Sequence, residues 1–349
     1  MNGILNVGVI GVGEIGKHHL RSYASNPKAK VVAVADINEG LAKNVAADYG
    51  VKSFKDYRDL LSLPEVEAVS VCTPPYNHAS ITCEAAKAPK HVLCEKPMAM
   101  NAEEAEDMVK ACEKAKVKLG ICSSRSKLSV TVENAREYVR SGRLGKIYYV
   151  RASNFRRKGR PGLDIFKESK WFLDSSKAGG GALIDIGCYD LDSILYILGG
   201  REPIAVDAMT FRGVGNNPKL HVIYDVEEHS SLMVRFKDGL VATVETAWAA
   251  NMDRGDGIIL FGTKAGLKLN PFTFYGQQEG KQVAITIDMP SQWGDPVDDF
   301  LTACLQNGSP KTSGEDGLKV MQIISMAYLS SKLGREVTLR DLKRSRRAR

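Results

Sequence analysis

The chain has 349 residues, 44% of them hydrophobic, which is enough to bury a large core and long enough for two domains. No apolar run reaches the ~18 residues that cross a bilayer, and the chain enters a strand-like run at Ile4 without a basic leader, so a cytosolic protein is expected. Of the net charge of +7, five positives (Lys343, Arg344, Arg346, Arg347, Arg349) lie in the last seven residues, leaving +2 elsewhere; with no aromatic interleaving the tail reads as a solvated terminus, not a nucleic-acid site.

In chain order, LNVGVI at 5–10 reads as a buried strand, followed by GVGEIG and a helix through HHLRSYAS. VVAVAD is a second strand, and residues 41–49 have helical apolar spacing. The alternation continues through AVSVCTPP, a helix over ASITCEAAKA, HVLCEKP, a helix over 102–115, and VKLGICS. Strands alternating with helices of about 10–15 residues predict a parallel sheet with right-handed crossovers, hence a doubly wound α/β Rossmann domain over 1–122.

From residue 123 the texture changes. After a helix over 130–141 come IYYVRASNF, IAVDAMTF, SSLMVRFKDGLVATVETAWAA, GIILFGTKAGLKLN, FTFYG and VAITIDM, with hairpin turns at KDG and GTKAG. These predict an α+β domain over 123–342 with a large, mainly antiparallel open sheet, closed by helices over 297–306 and 315–332 and followed by the basic tail 343–349. The seven cysteines show neither CxxC nor Cys/His ligand spacing, so neither a disulfide framework nor a metal site is expected. The cluster Arg151, Arg156, Arg157, Lys158 and Arg160 reads as a solvated rim, with an anionic substrate or another subunit as the alternatives. His91, His221 and His229 have no sequence partners and read as core or surface histidines.

Gly11, Gly13 and Gly16 form GxGxxG, with Glu14 and Ile15 opening the helix that follows. Asp36 ends the second strand, twenty residues past the last glycine. Strand, glycine turn, helix and acid together predict a dinucleotide site: the turn at Gly11, backbone approach to a pyrophosphate at Gly13, close packing at Gly16. Asp36 suits ribose hydroxyls and repels a 2′-phosphate, so NAD is expected rather than NADP.

Three further stretches complete a pattern: TPPYNH (Thr73 to His78), CEKP (Cys94 to Pro97) and GGGALIDIGCYDLD, in which Asp185, Tyr189 and Asp192 share one helical face at spacings of four and three. In this order the motifs resemble the Gfo/Idh/MocA oxidoreductases over nearly the whole chain. The resemblance implies that Lys96 lies beside the nicotinamide and the substrate hydroxyl, that Lys96-Pro97 is cis, and that Asp185 and Tyr189 belong to the catalytic helix. It further implies that Thr73, Pro74, His78, Glu95 and Pro97 line the cofactor site and that Arg125 and Trp171 lie near substrate, together with a homodimer or homotetramer. His19 matches a family histidine and reads as a packing residue. Tyr189 stands where histidine is commoner, in a subgroup that often uses NADP; the acid at 36 bears directly on the phosphate, and NAD is kept.

Oxidising an alcohol takes a hydride acceptor, a base and groups that fix the carbon. Free lysine and tyrosine titrate near ~10, so burial and a neighbouring positive ring are needed to make an amine useful at neutral pH. Proton transfer is therefore assigned to Lys96 and Tyr189 jointly, with Asp185 orienting. The expected substrate is a sugar, sugar acid or cyclitol. The resemblance leaves two alternatives: a redox-neutral NAD-dependent glycosidase and a non-catalytic NAD- and sugar-binding regulator.

Overall fold

The computed structural model describes residues 3–214 and 222–347, and His221 and the last two residues lie outside them. It divides into two compact units, Met1–Ser124 with Gly294–Leu318 and Arg125–Trp293 with Lys319–Arg349.

The first unit is built on six parallel strands: β1 Leu5–Ile10, β2 Ala29–Ala35, β3 Lys52–Phe54, β4 Ala68–Val71, β5 His91–Cys94 and β6 Leu119–Ile121. Their order is β3-β2-β1-β4-β5-β6. Val7, Val9, Val34, Val69 and Leu93 are fully buried because helices cover both faces, which is why these strands read as continuous apolar runs. The order reverses between β1 and β4, and an open α/β sheet holds its ligand outside the carboxyl ends at such a switch. Gly11, Asp36 and Glu95 directly follow the last residues of β1, β2 and β5, and Thr73 stands two residues past the end of β4.

Local capping sets the helix limits. Asn38 accepts from the Leu41 N–H to start Glu39–Tyr49, and Gly50, with φ of 64°, ends it. Asn101 accepts from the Glu103 and Glu104 N–H groups at the start of Ala102–Ala115. Residues 294–318 join this unit as well: the helix Pro296–Leu305 sends Val297, Phe300 and Leu301 into the core formed by Leu5, Val7, Leu20 and Tyr23. Lys28 Nζ meets Asp298 at 2.9 Å, and the Ile121 N–H donates to the Thr312 carbonyl at 2.7 Å.

The second unit carries a nine-stranded sheet: β7 Ile147–Phe155, β8 Pro203–Phe211, β9 His229–Phe236, β10 Val241–Ala247, β11 Gly257–Gly262, β12 Gly266–Leu269, β13 Phe272–Gln278, β14 Lys281–Thr286 and β15 Val337–Thr338. The order is β14-β13-β12-β11-β7-β10-β9-β8-β15. The one parallel pair, β7 with β10, interrupts an otherwise antiparallel sheet. Alternation is clear on β9, where Leu232, Val234 and Phe236 are buried and Met233 and Arg235 are exposed. The helices Val130–Arg140 and Cys188–Ile197 pack on each other and on the sheet. Of the basic tail expected over 343–349, the described residues 343–347 continue the helix Leu339–Arg347. No helix among the described residues is long and apolar enough to cross a membrane.

Candidate functional site

In the first unit the glycine loop is fixed by contacts only glycine tolerates. Gly11 has φ of +85°, and a Cβ there would lie 2.8 Å from the Cys72 carbonyl oxygen. A Cβ on Gly16 would lie 2.0 Å from the Gly11 oxygen, so Gly16 sets how closely the helix Glu14–Ser25 approaches the loop. Gly13 differs: nothing lies within 4 Å of its Cβ position, and as N-cap it brings no side chain to the helix's first N–H groups. That leaves open space at a helix N-terminus, which favours an anion.

Asp36 is tied into the same loop. Its Oδ2 accepts from the Val12 N–H at 2.9 Å and its Oδ1 from the Asn38 N–H at 2.9 Å. Each carboxylate oxygen keeps a second lone pair for a diol. Thr73 and Pro74 follow β4, and the Thr73 hydroxyl is buried without a hydrogen-bond partner. This orphaned hydroxyl, the bare Gly13 and the acid at the β2 terminus fit a dinucleotide.

Lys96 follows β5, partly buried, and the Lys96-Pro97 bond is cis. Its backbone N–H donates to Glu95 Oε2 at 3.0 Å, and Glu95 Oε1 lies 3.0 Å from His19 Nε2. His19 is buried and hydrogen-bonded on both ring nitrogens, with Ser70 Oγ 2.9 Å from Nδ1, so the packing role expected of it is replaced by a polar one. His78 is fully buried, with Nδ1 2.8 Å from the Pro97 carbonyl and Nε2 2.7 Å from the Thr73 carbonyl. It braces the two loops. Burial pushes its pKa down, opposed by the two carbonyls; a neutral ring donates to one of them, a doubly protonated ring to both.

In the second unit the helix begins differently from the expectation. Leu183–Gly187 is a π turn that passes into the α-helix Cys188–Ile197 at Cys188. π turns break the i, i+4 register and recur at functional sites. The glycines before it permit close approach: a Cβ on Gly181 would lie 1.8 Å from the Glu227 carbonyl oxygen. The buried Glu227 carboxylate accepts from the Gly181 and Leu183 N–H groups at 2.8 and 2.9 Å and from Tyr328 at 3.0 Å. These bonds satisfy the N–H groups a helix start leaves open.

Asp185 and Asp192, both buried, have partners from distant segments. Asp185 Oδ2 accepts from Trp248 Nε1 at 2.9 Å, with Arg156 Nη1 3.8 Å away. Asp192 pairs with Lys127 at 3.1 Å, each side chain only 1% exposed. Tyr189 is half-buried on the α-helical part. Asp190, which the sequence did not single out, accepts from Asn154 at 3.2 Å, and burial pushes its pKa up to about 6 against that bond. A cavity of about 690 Å³ is lined by Asn154, Arg156, Asp190 and Arg254, among others. Arg125 lies in the 3₁₀ turn Cys122–Leu128, and Trp171 stacks on Phe172 at 3.8 Å.

The basic cluster divides: Arg151, Arg157 and Lys158 are exposed, as a solvated rim requires, whereas Arg156 is partly buried and Arg160 is not part of a rim. Arg160 is buried, bonded to Asp164 at 2.7 Å and facing Glu228 at 3.4 Å. Arg151 pairs with Asp256, and Arg157 with Asp253. Acids on later segments neutralise these charges. Trp248, Lys127 and Asn154 were missed because each reaches its acid from another element, and no spacing in the chain signals it.

A doubly wound sheet with a bare-glycine helix N-terminus and a strand-end acid, followed by an open mixed sheet carrying buried carboxylates, defines a nucleotide-dependent two-unit protein. Residues 5–122 match the oxidoreductase family with an NAD-binding Rossmann fold, and residues 132–268 match the GFO/IDH/MocA C-terminal domain. The chain belongs to the Gfo/Idh/MocA oxidoreductase family. It is 29% identical to D-glucoside 3-dehydrogenase of Escherichia coli (strain K12), over 96% of this chain and 97% of that one. It is 30% identical to levoglucosan dehydrogenase of Pseudarthrobacter phenanthrenivorans, over 83% and 78%. Among solved structures, levoglucosan dehydrogenase in complex with NADH and levoglucosan superposes with a TM-score of 0.84 at 25% identity, covering 96% of this chain and 99% of that one.

Proposed function

We propose that this protein is an NAD-dependent oxidoreductase acting on a secondary or anomeric hydroxyl of a sugar, sugar acid or cyclitol. The observation that carries the reading is the carboxyl edge of the first sheet, where the open Gly13 position, Asp36 and Lys96 all follow strand ends. The relatives named above act on carbohydrates, and a solved one binds NADH. When bound, NAD supplies the hydride acceptor.

The chain's own residues supply the rest. Gly11, Gly13, Glu14, Ile15 and Gly16 form the pyrophosphate loop, and Asp36 takes the ribose hydroxyls; its negative charge is the reason for preferring NAD over NADP. Thr73, Pro74, His78, Glu95 and Pro97 frame the nicotinamide end. Lys96 and Tyr189 are the two groups to which transfer of the hydroxyl proton is assigned. Asp185, held by Trp248 and facing Arg156, orients the substrate, assisted by Arg125 and Trp171. Exposed apolar residues on the second unit's sheet, Met209, Phe211 and Met233, suit a homo-oligomeric contact.

Lys96→Met keeps the stem and removes the amine, and kcat should fall by about 10²- to 10⁴-fold with NAD affinity retained. Near wild-type turnover would refute the assignment. For Tyr189→Phe the expected result is a kcat loss of at least about tenfold with cofactor binding unchanged, read by steady-state kinetics beside a fluorescence titration. Loss of NAD binding instead would make Tyr189 a structural residue.

A further inference from the structure

We propose that His19 is a positioning residue for Lys96, acting through Glu95 at the end of a one-directional buried hydrogen-bond chain. The inference rests on the reading of Lys96 as the proton-transfer residue. The chain runs Tyr23 hydroxyl to Ser70 Oγ (2.7 Å), Ser70 to His19 Nδ1 (2.9 Å), His19 Nε2 to Glu95 Oε1 (3.0 Å), and Glu95 Oε2 to the Lys96 N–H (3.0 Å). Tyr23, Ser70, His19 and Glu95 are all buried, and they come from the helix Glu14–Ser25, from β4 and from the residue after β5.

With Glu95 ionised and His19 neutral, donor and acceptor capacities set a single direction. A Glu95 carboxylate has only lone pairs to offer, so it takes the proton of His19 Nε2 on one oxygen and that of the Lys96 N–H on the other. A neutral His19 with its proton on Nε2 then accepts at Nδ1. Ser70 spends its single proton there and accepts in turn from Tyr23, which heads the chain as donor. Burial pushes the Tyr23 pKa well up, keeping its hydroxyl protonated for that role.

A buried carboxylate needs its partners. Removing His19 leaves Glu95 one donor short, and its simplest relief is to turn, which releases the Lys96 N–H. On the other side of Lys96, the Pro97 carbonyl is held by His78 at 2.8 Å. The Lys96 N–H is thus held by a carboxylate that His19 braces, and the Pro97 carbonyl, one residue on, by His78, so the amine starts from a backbone fixed on both sides. Reacting groups misplaced by about 1 Å cost on the order of 10²-fold, so the grip acts on rate.

The test combines kinetics with the backbone amide signal of Lys96 in ¹⁵N-lysine-labelled protein, assigned by its disappearance in Lys96→Met. His19→Leu should lower kcat by about 10- to 100-fold with KM for NAD unchanged, and move the Lys96 amide proton upfield as its carboxylate bond is lost. His19→Gln, whose amide donates from nearly the place of Nε2, should restore the amide signal and bring kcat back to within about threefold of wild type. If His19→Leu does not fold, His19→Gln decides alone: a retained amide signal and kcat support the proposal, and loss of either overturns it. A folded His19→Leu with an unmoved Lys96 amide and wild-type kcat overturns it too. An active Lys96→Met would refute the proton-transfer reading itself, whatever the amide signal shows.

Discussion

Three glycines of one motif carry three different jobs, and the structure separates them. Gly16 is packed against the Gly11 carbonyl, so Gly16→Ala should cost about 1–3 kcal/mol of stability and lower Tm by several degrees. Gly13 faces open space, so Gly13→Val should leave Tm within about 2 °C of wild type while weakening NAD binding at least about tenfold. Thermal melts with and without NAD check both: a Gly13→Val that still gained full thermal stabilisation from NAD would contradict the loop's assignment. The positions of the motif, its acid and the lysine after β5 were legible in the sequence, because each is set by local geometry: a turn, a helix start, a strand end. The role of His19 was not, since its partners Ser70 and Glu95 stand 51 and 76 residues away.

The helix of the second unit shows where element-level reading stops. Its apolar residues Leu183, Ile184, Leu191, Ile194 and Leu195 are all buried in the core, as a run this apolar implies. Placing Asp185, Tyr189 and Asp192 on one face assumed one α register, whereas Leu183–Gly187 is a π turn, and Asp185 and Asp192 answer to different partners, Trp248 and Lys127. Asp190 on this element carries a pH signature. Its carboxyl titrates near 6 in the folded protein and near 4 when unfolded, so between those values the folded state holds the extra proton. Folding stability from this group is therefore present below about pH 4 and lost as pH rises to about 6. Asp190→Asn should raise Tm relative to wild type at pH 7.5, with the gain shrinking toward pH 4.5. Melts across that range giving a constant or reversed difference would contradict the raised carboxyl.

At the scale of the whole molecule, alternating strands and helices revealed the parallel sheet, and the loss of that alternation after residue 123 revealed a different second sheet. Alternation says which face of a strand is buried but not which strand lies beside it, so the parallel contact of β7 with β10 was hidden. The return of residues 294–318 to the first unit was hidden for a related reason: the helix Pro296–Leu305 is amphipathic, and an apolar stripe does not name the core it enters. The central claim, NAD-dependent oxidation of a carbohydrate or cyclitol hydroxyl, is tested most directly by NADH fluorescence on a panel of sugars, sugar acids and inositols, assayed with NAD and NADP in parallel. The account predicts net NADH formation with at least one polyol and at least about tenfold lower kcat/KM with NADP. A protein that binds NAD yet forms no net NADH across the panel, or one that turns over faster with NADP, would contradict it.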